Sequence, residues 1–69
     1  MNDFDLGLFI KEHRKVAGLT QLELANLAGV GKTTVFDIEK NKETIHWNNL
    51  LAILKVLNVE VQFKSPIHK

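Results

Sequence analysis

The 69-residue chain has no cysteine and no tyrosine, and only one residue each of proline, tryptophan and methionine. Without cysteine no disulfide can brace the fold, and its absence fits a reducing compartment. Three scattered histidines, His13, His46 and His68, lack the spacing of a zinc site. The longest apolar run, LLAIL at 50–54, falls far short of the roughly 20 residues a membrane-spanning helix needs. The start, MNDFDLGLFIKEHRK, is acidic where a secretory signal is basic, so a soluble cytoplasmic protein is expected. Neither charge dominates. Nine Lys and Arg against eight Asp and Glu give a net charge of +1, too little to announce a polyanionic partner. A chain this short buries only about 60% of its unfolded surface. It forms one small domain, and with disulfide and zinc excluded, association with another chain is the reinforcement left.

What is present reads as helix. Leu6, Phe9, Ile10, His13, Val16 and Ala17 share one face of a 3.6-residue wheel, with Lys11, Arg14 and Lys15 pointing elsewhere. Asn2 or Asp3 is the expected cap and Gly18 the expected stop. Thr20 and Glu23 form a capping box, with Leu19 and Leu24 placed as a hydrophobic staple, so a helix is predicted from Gln21 to about Ala28, ended by Gly29. A third runs from about Lys32 to Lys40, with Gly31 at its cap, Val35 and Ile38 inward, and Asn41 as its stop. The fourth, from about Trp47 to Leu57, is expected to bury Trp47, Leu50, Leu51, Leu54 and Leu57. Its further apolar residues, Ala52, Ile53 and Val56, exceed what so small a domain can cover.

The tail changes period. In VEVQFK, Val59, Val61 and Phe63 alternate with Glu60, Gln62 and Lys64, a strand pattern closed by Pro66. One strand leaves its backbone groups unpaired. The simplest partner is the same strand of a second copy across a two-fold axis, with Ile53 and Val56 beneath. A frayed tail, or a strand donated to a different protein, is the alternative. The expected fold is therefore mainly α: a four- to five-helix bundle with a helix-turn-helix, plus a C-terminal β-strand pairing across a homodimer. Residues 1–58 form the helical domain, 59–64 the dimerisation strand and 65–69 a short tail.

The string AGVGKTT at 28–34 ends like a nucleotide-binding loop, but that loop needs a glycine where Asn26 stands, and a buried strand before it. A capping box and helical spacing occupy the place of that strand. Two short helices around a tight glycine turn, the second outwardly small and polar, form a helix-turn-helix instead. In such a motif the second helix enters the DNA major groove, and the start of the first offers free N–H groups to a phosphate. No nucleophile with a base, metal cluster or carboxylate pair suggests an enzyme.

The stretch LTQLELANLAGVGKTTVFDIEKNK, followed by NNLLAILKVL, resembles the lambda-repressor/Cro (xenobiotic-response-element) type of helix-turn-helix over residues 6–57. With the VEVQFK tail, the chain is most similar to HipB-type antitoxins. That resemblance implies a homodimeric transcriptional repressor of its own operon that binds a palindromic DNA operator. It also implies a HipA-type serine/threonine kinase toxin as partner, with or without a further small protein. No cofactor is implied. A free-standing phage-type repressor, or chiefly a toxin-neutralising module, is the alternative. By position, Lys32 and Thr33 take the leading base-reading places, with Phe36 and Asp37 as further groove-facing residues. Thr20, Gln21, Lys40, Asn41 and Lys42 fall where phosphates are held. Lys32 could meet guanine or phosphate, and Phe36 a thymine methyl or its own helix. Asp37 needs a cytosine amino group or a lysine. Asn41 stands in for the usual glycine, and Leu22 and Leu27 for usually polar residues. Glu39 is expected to face back into the fold.

Overall fold

The computed structural model describes residues 4–67. Four helices run in order: α1 (Leu6–Val16), α2 (Gln21–Ala28), α3 (Lys32–Glu39) and α4 (Trp47–Val56). Among the described residues there is no fifth helix and no strand, and no helix is long and apolar enough to cross a membrane. The core is Ile10 from α1, Leu24 and Ala25 from α2, Val35 and Ile38 from α3, and Leu50, Ile53 and Leu54 from α4.

The ends of the helices are written by local chemistry. Thr20 Oγ1 accepts from the Glu23 amide at 3.0 Å and the Glu23 carboxylate accepts from the Thr20 amide at 2.8 Å, completing the capping box. All four helices stop in the same way, with one left-handed residue (Gly18, Gly29, Asn41 or Asn58) and two reversed amide bonds onto the last turn. After three of these stops comes an apolar residue, Leu19, Val30 or Val59, packed against the core. After α3 comes Lys42, whose ammonium meets Asp37 at 3.4 Å instead.

The first helix departs from its expected orientation. Asp5 caps it, its carboxylate accepting from the Leu8 amide at 2.9 Å, while Asn2 and Asp3 lie outside the described residues. Its buried line is Gly7, Ile10 and Arg14, and Val16 is 90% exposed. Two contacts with the end of α3 turn the helix this way. A Cβ on Gly7 would lie 2.5 Å from the Glu39 carbonyl oxygen, so only glycine lets the backbones approach. The Glu39 carboxylate also draws Arg14 inward. Asn41 fastens the same corner: its side-chain oxygen accepts from the Gly7 amide at 2.8 Å, and its amide nitrogen donates to Asp5 at 2.7 Å. These hydrogen bonds, first that from Asn41 and then that from the Leu8 amide, hold the Asp5 carboxyl below its ordinary range.

At the other end, α4 and the tail require three corrections. Ile53, expected beneath a second subunit, is fully buried in the protomer's own core. Trp47 and Leu51, expected inside, are exposed, Trp47 by 50%. The helix is thus rotated so that its Leu50–Ile53–Leu54 ridge meets the bundle. Residues 59–65 form no ladder, since the described chain offers no second strand to pair with. Their side chains still alternate. Glu60 and Gln62 approach to 3.3 Å on one side. On the other, Phe63 lies 6.2 Å from Trp47, ring centre to ring centre. Val56 and Val59 are half-buried against the core, whereas Phe63 is 83% exposed. Phe4, Leu6, Phe9, Trp47, Val61 and Phe63 wall an open apolar groove there.

Candidate nucleic-acid interface

Helices α2 and α3 are joined by Gly29, Val30 and Gly31. Gly29 takes φ 73° and Val30 anchors the turn in the core, leaving Gly31 as the side-chain-free cap of α3. With Val35 and Ile38 buried, the helical repeat turns Lys32, Thr33, Phe36 and Lys40 outward, and all four are exposed. The face is slim at its start, where glycine and threonine stand, and cationic at both ends.

Behind this face lies a polar hinge. Arg14 donates from Nε to Glu39 Oε2 at 2.6 Å, from Nη2 to Oε1 at 3.0 Å, and from Nη1 to the Leu19 carbonyl at 2.9 Å. Gln21 adds a bond from Nε2 to Glu39 Oε1 at 3.1 Å. Burial pushes the Glu39 carboxyl up, but the hydrogen bonds from Arg14 and Gln21, with the charges of Arg14 and Lys11, carry it below its ordinary value. The hydrogen bond to Glu39 raises Arg14 in turn. The network ties α1 and the start of α2 to the end of α3. It thereby fixes the angle at which the outward face is presented.

The structure redistributes the residues singled out from sequence. Lys32, Thr33, Phe36 and Lys40 stand together on one surface with Gln21, sharing the walls of two adjoining clefts. Asp37 is neutralised by Lys42, which answers its expected repulsion of phosphate and in part occupies Lys42. The side chain of Asn41 is committed to Gly7 and Asp5, so a phosphate contact through it is displaced, and only its backbone remains for one. The Thr20 hydroxyl is likewise engaged as the cap of α2. The Gln21 side chain is turned to Glu39, and of the first-turn amides of α2 that of Glu23 is taken by the Thr20 hydroxyl, leaving those of Gln21 and Leu22 without a partner within the helix. His13 lies at the surface, its Nδ1 2.8 Å from the Phe9 carbonyl and its ring 4.0 Å from that of Phe9, centre to centre. Leu22 and Leu27 are exposed.

Sequence reasoning placed Arg14 among the outward cations and left Lys11 without a role. The spacing 7, 10, 14 could have revealed the buried Arg14, because it matches a helical face whose third-turn charge has one acid, Glu39, facing inward. Lys11 lines the cleft between α1 and α3, beside Gln21, Phe36 and Lys40.

A helix-turn-helix family profile matches residues 10–64. The chain belongs to the lambda-repressor/Cro-type helix-turn-helix family. It is a DNA-binding transcriptional regulator of that type. It is 34% identical over 62 residues, 90% of this chain and 82% of the other, to the uncharacterized HTH-type transcriptional regulator y4mF of Sinorhizobium fredii (strain NBRC 101917 / NGR234). The N-terminal DNA-binding domain of SinR from Bacillus subtilis superposes with a TM-score of 0.74 at 36% identity, covering 80% of this chain and 81% of that one. SinR in complex with DNA gives 0.73 at the same identity, covering 80% and 89%. Against the SinR/SinI complex the match (TM-score 0.73, 36% identity) covers 78% of this chain and 53% of the matched chain, so this chain spans about half its length. A chain of the HipA-HipB-O2-O3 complex gives 0.80, covering 97% and 94%; at 24% identity that likeness is one of fold.

Proposed function

We propose that the protein is a homodimeric repressor that presents α3 to the major groove of a palindromic operator in its own operon. The observation that carries this reading is the outward face of α3. It gathers Lys32, Thr33, Phe36 and Lys40 beside the start of α2, braced from behind by the Arg14–Glu39–Gln21 network. Lys32 and Thr33, at the slim end, read base edges, with Phe36 and Asp37 flanking them. Lys40, the backbone amide of Gln21 and residues 41 and 42 meet phosphates on either side. Dimerisation runs through residues 59–64. The tail carries exposed Val61 and Phe63 beside the apolar groove of Phe4, Phe9 and Trp47, and among the described residues its backbone has no ladder partner, which a second copy would supply. A two-fold pair places its recognition helices about 34 Å apart, in successive major grooves.

A more specific role as the antitoxin of a HipA-type kinase operon draws support from a likeness of fold that spans 97% of this chain, where the SinR DNA-binding domain covers 80%. Co-purification of the protein with a kinase encoded beside it would support that role. Loss of viability when the kinase is expressed alone, and its recovery when both are expressed, would complete the case. If the neighbouring gene is harmless alone, the antitoxin role falls and the repressor remains.

Operator binding is tested by fluorescence anisotropy with a duplex from the chain's own upstream region and a scrambled duplex of equal length, between 50 and 300 mM salt. The upstream duplex should bind at least about 10³-fold tighter at moderate salt. Both affinities should fall steeply with salt as phosphate counterions are released. Equal affinity for the two duplexes would sink the repressor reading.

A further inference from the structure

The feature of the DNA-facing surface that positioning does not explain is Phe36. It stands 45% exposed at the centre of an otherwise polar face, outside the hydrophobic core and the apolar residues packed on it. It forms a wall of both clefts on that face, with Gln21 and Lys40 on the side of α1 and with Lys32 and Thr33 on the side of the turn. The Lys40 ammonium lies over the ring, 5.4 Å from its centroid, a cation–π arrangement that steadies it from one side. Asp37, its neighbour in sequence, is drawn away toward Lys42. The ring is thus held from one side by a cation and still half-exposed.

An aromatic ring in this place cannot take part in the hydrogen-bond code of the base edges. The one apolar group on the floor of the major groove is the C5-methyl of a pyrimidine. On the operator-binding reading proposed above, we infer that Phe36 is a methyl-reading platform. Its ring seats on a pyrimidine C5-methyl in each half-site, so that affinity depends on that methyl whether thymine or 5-methylcytosine carries it. Thymine and 5-methylcytosine differ beside the methyl, as an O4 acceptor and an N4 donor. Thr33, whose hydroxyl both donates and accepts, stands next to the ring and can meet either. Where a half-site carries cytosine at that base pair, methylation of that cytosine strengthens binding.

The test begins with the full chain and a random-sequence duplex library, from which the bound duplexes are enriched. Each thymine of the enriched duplex is replaced in turn by deoxyuridine, and affinities are measured for the wild type, Phe36→Ala and Phe36→Leu. One symmetric thymine position should lose about fourfold in affinity per half-site on losing its methyl. That loss should vanish in Phe36→Ala and persist in Phe36→Leu, which keeps an apolar surface and serves if the alanine variant folds poorly. At the same position 5-methylcytosine should bind about fourfold tighter per half-site than cytosine. Enrichment of a defined sequence whose affinity ignores deoxyuridine would overturn the inference and leave operator binding intact. So would a methyl dependence that survives in Phe36→Ala. Failure to enrich any sequence would overturn both.

Discussion

Replacing Arg14 by methionine keeps most of the side chain's length and removes three hydrogen bonds from the interior at once. Two go to the Glu39 carboxylate, at 2.6 and 3.0 Å, and one to the Leu19 carbonyl at 2.9 Å. The Arg14 side chain is 10% exposed and that of Glu39 5%, so water cannot replace what is lost. Removing one partner of a buried pair costs about 3–5 kcal/mol, because the other charge is left uncompensated. A domain of this size has a total stability of roughly 3–10 kcal/mol. Arg14→Met should therefore lower Tm by more than about 12 °C and bring the protein close to unfolding at 37 °C. Urea titration followed by circular dichroism measures this directly. The cost should also depend on pH. The native Glu39 carboxyl lies below its ordinary value. Its contribution is therefore present above the unfolded pKa, about 4.3, and lost as pH falls through the folded one. In the variant the carboxyl keeps its burial and the bond from Gln21 but loses both bonds from Arg14, so its pKa rises and the penalty shrinks as pH falls through that raised value. The double variant Arg14→Met, Glu39→Leu removes both charges and should regain most of the stability. A single variant within about 1 kcal/mol of wild type, or a double variant no better than the single, would refute the argument.

Three further outcomes follow from the same packing. Gly7→Ala sets a methyl 2.5 Å from the Glu39 carbonyl oxygen, against backbone that cannot yield, and should cost about 1–3 kcal/mol by denaturant titration; an unchanged midpoint would mean that α1 and α3 are not in contact there. Asn41→Gly keeps the left-handed stop but frees Asp5 of its first hydrogen bond, so the Asp5 carboxyl should titrate higher by NMR. Because a depressed carboxyl stabilises above its unfolded pKa and loses that contribution on acidification, this variant should also show a weaker acid-dependent loss of stability than the wild type. Thr20→Ala deletes the cap bond to the Glu23 amide and should cost about 1 kcal/mol, measured by thermal melting.

The sequence declared the elements whose signals are local. The capping box of Thr20 and Glu23, the glycine stop at Gly29 and the inward pair Val35 and Ile38 placed α2, the turn and α3 almost to the residue. From these the outward placement of Lys32, Thr33 and Phe36 followed by helical period. Features that depend on distant partners were hidden. The orientation of α1 is set by Glu39, twenty-five residues on from Arg14, and by a backbone approach that only Gly7 permits. Apolar periodicity, which weighs Val16 and ignores arginine, places Leu6, Phe9 and Ile10 correctly but misses the inward turn of Gly7 and Arg14. Asn41 read as a stop with a spare polar group, whereas its amide is spent on Gly7 and Asp5. Ile53 and Trp47 exchanged their expected places for the same reason. Which arc turns inward in a helix whose apolar residues exceed one stripe, as in α4, is decided by its neighbours, not by its own composition.

A hydroxyl-radical footprint of the chain on its own upstream DNA probes the paired recognition helices most directly. Two protected stretches should appear on one face of the duplex, their centres about 10 base pairs apart and related by a two-fold axis. Lys32→Ala should weaken or erase both together. Protection of a single stretch, or a footprint that persists at a scrambled site, would contradict a two-fold operator-binding repressor.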